Sequence, residues 1–230
     1  MAGGGSLLTL PALLLFGLPA DQANASNRLS IVSQSATGVW GFARGGKLDT
    51  RAIAPILLPT MAGSLIGALA ASRVPNDVLE YVLLGTMMAM ATLLLVRPRS
   101  VTAAPGEQPR WHDRRLAGMA GLFGAGLYGG FVQAGVGFIL LSVLGGVLRY
   151  DLMRANALKL VCTAVFSVVA LAVFIPAGQV VWLPAALLAG YTAIGSQIGV
   201  RFALRAPEGV IRWVIFAAVI GTCVAALLEA

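Results

Sequence analysis

The sequence predicts an all-α, polytopic membrane protein made of two inverted repeats, each a re-entrant, glycine-tipped hairpin followed by three transmembrane helices. Three observations lead there. The 230 residues are 58% hydrophobic and 11% charged, whereas soluble chains carry about 25% charged residues to face water. Apolar runs of about 20 residues, long enough to cross hydrocarbon, recur along the chain. The chain also matches itself at an offset of 132 residues. Ala2-Gly3-x-Gly5 falls on Ala134-Gly135-x-Gly137, Phe42 on Phe174 and Gly46 on Gly178. Gly63-Ser64-x-Ile66-Gly67 falls on Gly195-Ser196-x-Ile198-Gly199, and Arg73-x-Pro75 on Arg205-x-Pro207. An ordered set at one offset marks two related halves, with a small length difference near residues 20–30.

The first element, MAGGGSLLTLPALLLFGLP, is a glycine-broken start to an apolar run. It has the length of a signal-peptide core, but no Lys or Arg precedes it; the first is Arg28. A secretory leader needs that positive charge, so this stretch is expected to belong to the mature membrane domain. Residues 23–43 form a span rich in hydroxyls and amides, followed by the basic loop RGGKLDTR. Clean spans follow at 52–71, where Pro55 and Pro59 are expected to kink the helix, and at 78–96. The organisation is then a first membrane repeat at 1–96, a basic linker at 97–115 and a second membrane repeat at 116–230. The second repeat opens with 33 nearly apolar residues at 116–148. One straight helix of that length would reach about 50 Å, against roughly 30 Å of hydrocarbon. Its many glycines suggest a break at AGVG. Spans at 155–175, 181–204 and 210–228 complete the chain.

Basic residues choose the orientation. With four full spans per half, the sixteen Lys and Arg residues divide evenly between the two sides. With a re-entrant hairpin heading each half, all of them except Arg28 and Arg73 fall on the cytoplasmic side. That bias selects the inverted arrangement.

Hairpin tips then lie at membrane depth, where irregular backbone survives only inside protein or along a cavity. Glycine allows the turn. The half-helix that follows aims its N-terminal N–H groups, worth about half a positive charge, at the midplane. Gly3, Gly4, Gly5 and Ser6 at the first tip, with Gln133, Gly135 and Gly137 at the second, are therefore candidate anion-binding residues. Polar stripes run down the next span of each half: Asn27, Ser30, Gln34 and Thr37 in one, Asn156, Lys159, Thr163 and Ser167 in the other. Left in lipid, each unsatisfied group would cost several kcal/mol, so the stripes are expected to face partner helices or a wet path. Arg28 and Lys159 sit about one turn into these spans, where ionisable residues are functional candidates; snorkelling to the interface is the competing role. Gly63-x-x-x-Gly67 and Gly195-x-x-x-Gly199 read as helix-packing faces.

Several classes are excluded or disfavoured. The net charge of +7 is scattered between apolar runs, without the basic, aromatic-interleaved stripe of a nucleic-acid binder. Cys162 and Cys223 lie in apolar runs and read as core thiols, and the single His112 sits in the linker; no metal or other cofactor is expected. No nucleophile–base pair or acidic cluster points to an enzyme, no G-x-x-x-x-G-K-[ST] to ATP. No span interior carries Asp or Glu, so a carboxylate proton relay is missing. Trp40, Trp111, Trp182 and Trp213 fall at span ends as interfacial anchors. Asp21 and Asp151 match in position as helix caps.

AGGGSLLTLPALLLFGLP followed by ASNRL resembles the first half of the TauE/SafE sulfite exporters, and YGGFVQAGVGFILL followed by RANALKLV resembles the second. The resemblance covers nearly the whole chain. It implies a multi-pass protein of the cell (inner) membrane that exports, or sometimes takes up, sulfite, thiosulfate or small organosulfonates such as sulfoacetate. It also implies that Asn27, Arg28, Asn156 and Lys159 are motif residues. Family members carry an apolar limb before the first glycine tip. Met1 falls at the tip here, so the first hairpin is expected to lack that limb, or the true start to lie upstream. The expected partners are a small anion and the lipid bilayer, and small-residue faces are compatible with a homodimer. A passive anion channel, or a transporter of another small anion, is the alternative reading.

Overall fold

The computed structural model describes residues 5–44, 46, 48–96 and 115–203. Gly3, Gly4, the linker apart from Arg115, and the span expected at 210–228 lie outside the described residues. What is described is helical, without a β-strand.

Helix α1 (Gly5–Leu15) ends at Gly17, whose φ of +80° lets the chain turn. Helix α2 (Ala20–Arg44) follows at once, with Asp21 in its first turn. Asp21 is thus inside the helix; its Oδ1 accepts from the Gln22 N–H and its Oδ2 from Gln179. Helix α3 (Thr50–Ala71) is capped by Asp49, which accepts from the Arg51 N–H. Both Pro55 and Pro59 lie within it. Helix α4 (Asn76–Val96) completes the first half.

Helix α5 (Arg115–Phe131) stops at a four-residue break, and α6 (Val136–Leu141) runs on into a π-helical stretch, Ser142–Val147. The two limbs fold back on each other. Gly118 lies against Leu148, Gly121 against Val143 and Gly129 against Val136, so the segments run antiparallel from the break outward. Helix α7 (Leu152–Phe174) starts at Asp151, whose Oδ1 caps the N–H groups of Met153 and Arg154 at 3.0 Å each. Helix α8 (Trp182–Ala203) is the last described element.

Helix α2 packs between α7 and α8, and α3 between α5 and α7, so the two halves interlock and do not stand side by side. One core cluster joins α3, α5, α6 and α7 around Ile56, Leu122, Leu144 and Phe166. Another joins α1, α4 and the break around Leu10, Leu83, Met87 and Ala134. Leu58, Leu65, Tyr81, Leu183 and Tyr191 face outward. Thr50–Ala71 and Met153–Phe174 are long and apolar enough to cross a bilayer. Trp40 and Trp182 are exposed near helix ends, Trp40 stacked under Arg44 with the cation 4.0 Å from its ring.

The glycine faces differ between halves. A Cβ on Gly63 would sit 2.1 Å from the Phe123 carbonyl oxygen, and one on Gly67 2.1 Å from that of Leu127. From α5, Gly126 and Gly130 press equally on Thr60 and Ser64. These four glycines bring α3 and α5 into backbone contact. A Cβ on Gly195 of α8 would meet no described residue within 4 Å.

Candidate functional site

The buried polar groups collect on α2, α7 and the break between α5 and α6. Asn24, Ser26, Asn27, Arg28, Ser30 and Ser35 are buried on α2; Gln133 in the break; Asn156, Lys159 and Ser167 on α7. Helices α2 and α7 pack against each other. The charges buried among the described residues are those of two cations, Arg28 and Lys159.

Asn27 belongs to α2 but is fixed by α1. Its Oδ1 accepts from Thr9 Oγ1 at 2.7 Å and from Ser30 Oγ at 3.0 Å. The Ser30 hydroxyl shares its one proton with the Asn27 backbone carbonyl, 2.7 Å away. The Nδ2 group is buried with no hydrogen-bond partner among the described residues. A buried donor in that condition is costly unless something else fills the role.

Arg28 is completely buried. Its guanidinium donates to the carbonyls of Gly129, Gly130 (2.8 Å) and Phe131 (3.2 Å), and to Asn24 Oδ1 (3.2 Å). Asn24 Nδ2 reaches the Phe131 carbonyl as well, at 2.8 Å. The Phe174 ring lies 5.5 Å from Arg28 Cζ, a cation–π contact. Nothing in the sequence marked Asn24, except that it stands one helical turn before Arg28.

The break itself is tightly held. Gln133 and Gly135 both have left-handed backbones, φ +66° and +73°. A Cβ on Gly135 would also run into Met90, 2.6 Å away, so both conformation and space call for glycine. Gly137, expected to share the break, lies inside α6. Tyr128 Oη donates to the Ala134 carbonyl at 2.6 Å, and Gln133 Nε2 to Ser167 Oγ at 2.9 Å. The Gln133 Oε1 is buried with no hydrogen-bond partner among the described residues.

On α7, Lys159 Nζ donates to Asn156 Oδ1 at 2.9 Å, one turn earlier on the same helix. Thr163 turns its hydroxyl back onto the Lys159 carbonyl. Gln34 is half-buried on α2, beyond Ser30. Gly5 and Ser6 form the start of α1, the Ser6 side chain lying outside what is described. So the structure joins Asn27 to α1, Arg28 to the end of α5, Gln133 to α7, and Lys159 to Asn156. Thr9 and the α5 carbonyls were invisible as site components in the sequence, because their roles arise from neighbours far along the chain. Among the described residues no group of three or more His, Cys, Asp or Glu could hold a metal.

Helices with apolar outer faces, enclosing amides, hydroxyls and two cations, define a membrane protein of the transporter class. The particular family follows from comparison: the profile described as "Sulfite exporter TauE/SafE" matches residues 1–226, and the chain belongs to that family. It is 27% identical over 214 residues to a protein of Sinorhizobium sp. named as a probable membrane transporter, ORF9, covering 92% of this chain and 80% of that one. A probable membrane transporter of Haemophilus influenzae is 26% identical over 218 residues, covering 92% and 82%. The Escherichia coli protein YfcA, named likewise, is 27% identical over 216 residues, covering 92% and 78%. No solved structure matches.

Proposed function

We propose that this transporter is a multi-pass protein of the cell (inner) membrane that exports small sulfur-containing anions: sulfite, thiosulfate or small organosulfonates. Binding occurs near the midplane, between two re-entrant hairpin tips in inverted halves. The observation that carries this reading is the Asn27 amide. Its oxygen accepts from Thr9 on α1 and lies within reach of the Ser30 hydroxyl, and its buried nitrogen is a donor without a partner among the described residues. A tetrahedral or pyramidal oxyanion supplies the acceptor that this donor lacks.

Electrostatics support it. Two cations are buried on neighbouring helices, and no buried side chain among the described residues is acidic. Such a lining favours an anion and excludes a cation. The glycine tips (Gly3, Gly4, Gly5 with Ser6, and Gly135, Gly137 with Gln133) supply backbone N–H groups in this reading. Asn27, Gln34, Asn156, Lys159 and Thr163 line the path between them. Arg28 belongs to the same site by a different route, taken up below.

The test is flux in proteoliposomes loaded with sulfite, sulfoacetate or sulfate, with and without a pH gradient. Saturable, gradient-sensitive movement of sulfite or the sulfonate is the expected result. Unsaturable movement indifferent to the gradient would replace the transporter with a channel, and immobility of all three anions would overturn the substrate class.

A further inference from the structure

Arg28 is the bulkiest of the fully buried side chains among the described residues, and it does not sit against other side-chain charges. Its Nη groups are taken up by four oxygens: the carbonyls of Gly129, Gly130 and Phe131, and Asn24 Oδ1. Those three carbonyls are the last of α5. A helix C-terminus leaves four carbonyls without intrahelical partners and carries about half a negative charge. Buried at a break, that end needs a cation and donors. Arg28 and Asn24, 101 to 107 residues earlier in the chain, supply both.

Two residues further on, the chain enters a conformation that only its surroundings can maintain. Gln133 has φ +66° without being glycine, a strained state that persists where neighbours over-determine it. Its amide is tied to Ser167 on α7. The break is therefore gripped from α2 at one end and from α7 at the other.

We infer that Arg28 is a positioning residue for transport: it pins the end of α5 to α2, and so holds Gln133 and the start of α6 in place, without touching the anion itself. This rests on the anion-transport reading for its consequence, but not for its geometry. An anion that bound the Nη groups of Arg28 would have to displace the α5 carbonyls, which would then be buried without donors; Nε alone is left without a partner among the described residues.

The test uses the full-length protein in nanodiscs, with Cys162→Ala and Cys223→Ala and a reporter at the buried break, Ala134→Cys. The rate of maleimide labelling is measured without any substrate. Arg28→Ala is expected to raise labelling of the reporter at least tenfold, and Arg28→Lys by less. A second reporter on α8, Ala185→Cys, is expected to stay within twofold, which separates release of the break from general unfolding. In transport, Arg28→Lys lowers kcat more than it raises KM. Unchanged labelling of the break with a tenfold rise in KM would make Arg28 a substrate contact and overturn the proposal. Should Arg28→Ala fail to accumulate, Asn24→Ala, which removes one bond to Phe131 and one to Arg28, carries the test. A labelling rise of about threefold supports the pin, and no rise overturns it. Labelling is read in the absence of flux, so a failed transport assay and a failed pin give different results.

Discussion

The two halves of this chain carry the same signals and use them differently. On α3, Gly63 and Gly67 meet the α5 backbone so closely that no Cβ would fit, while a Cβ on the matching Gly195 of α8 would meet no described residue within 4 Å. On α2, Arg28 serves the end of α5, a helix of the other half; on α7, Lys159 holds Asn156 one turn away on its own helix. In each case α5 makes the difference. It passes beside α3 and ends beside Arg28, so it turns a small-residue face into a joint and a buried cation into a helix cap. A repeat preserves residue types, but the neighbour decides what each residue does.

The largest effect is expected at the joint. Gly63→Ala would place a methyl group 2.1 Å from the Phe123 carbonyl oxygen. Backbone cannot rotate away as a side chain can, so the helices must separate. The cost is about 1–3 kcal/mol or more, a large share of a total that for a whole domain is only about 5–15 kcal/mol. Heating detergent-solubilised protein and following the monodisperse fraction by size exclusion checks this. A Gly63→Ala protein as heat-resistant as its parent would dissolve the contrast between α3 and α8.

Next comes Lys159, which holds Asn156 on its own helix. Lys159→Ala is expected to lower initial uptake at subsaturating sulfite by about tenfold or more, the worth of one hydrogen bond to a charged group. Heat resistance should hold, because Asn156 at 9% exposure is close enough to the surface to find other donors. Unchanged transport at subsaturating anion would mean that Lys159, too, is structural, and the two cations would then share one role.

Parts of this arrangement were legible before any coordinates. The 33 apolar residues at 116–148 were too long for one helix, and the chain does stop at Phe131 and resume at Val136. The left-handed Gly135 is where glycine was needed, but Gln133 takes the same backbone hand with no marker in its residue type. Asp151 reads as a cap from local spacing, because capping is settled within three residues. Asn24 and Arg28 could be flagged as polar but not assigned, since their partners lie more than 100 residues away. The π-helical stretch Ser142–Val147 looks like any apolar helix in composition. Gly63 and Gly195 occupy the same motif, and no sequence pattern told their surroundings apart.

That pair also supplies the smallest effect, and one of opposite sign. Among the described residues Gly195 is exposed within α8, and a Cβ there meets none of them within 4 Å. Alanine in a helix interior is favoured over glycine by about 0.8–1 kcal/mol, because glycine loses more backbone freedom on ordering. Gly195→Ala should therefore raise heat resistance slightly and leave sulfite uptake within twofold. The same substitution, at the same place in the repeat, would break one half and firm the other. A clear loss of stability at Gly195 would mean that the α8 face has a packing partner of its own, either residues 204–230 of this chain or a second copy of it, since small-residue faces admit both. Size exclusion of the same sample then reports whether the loss follows a change in oligomeric state, and with it whether the asymmetry between α3 and α8 belongs to the single chain or is removed on assembly.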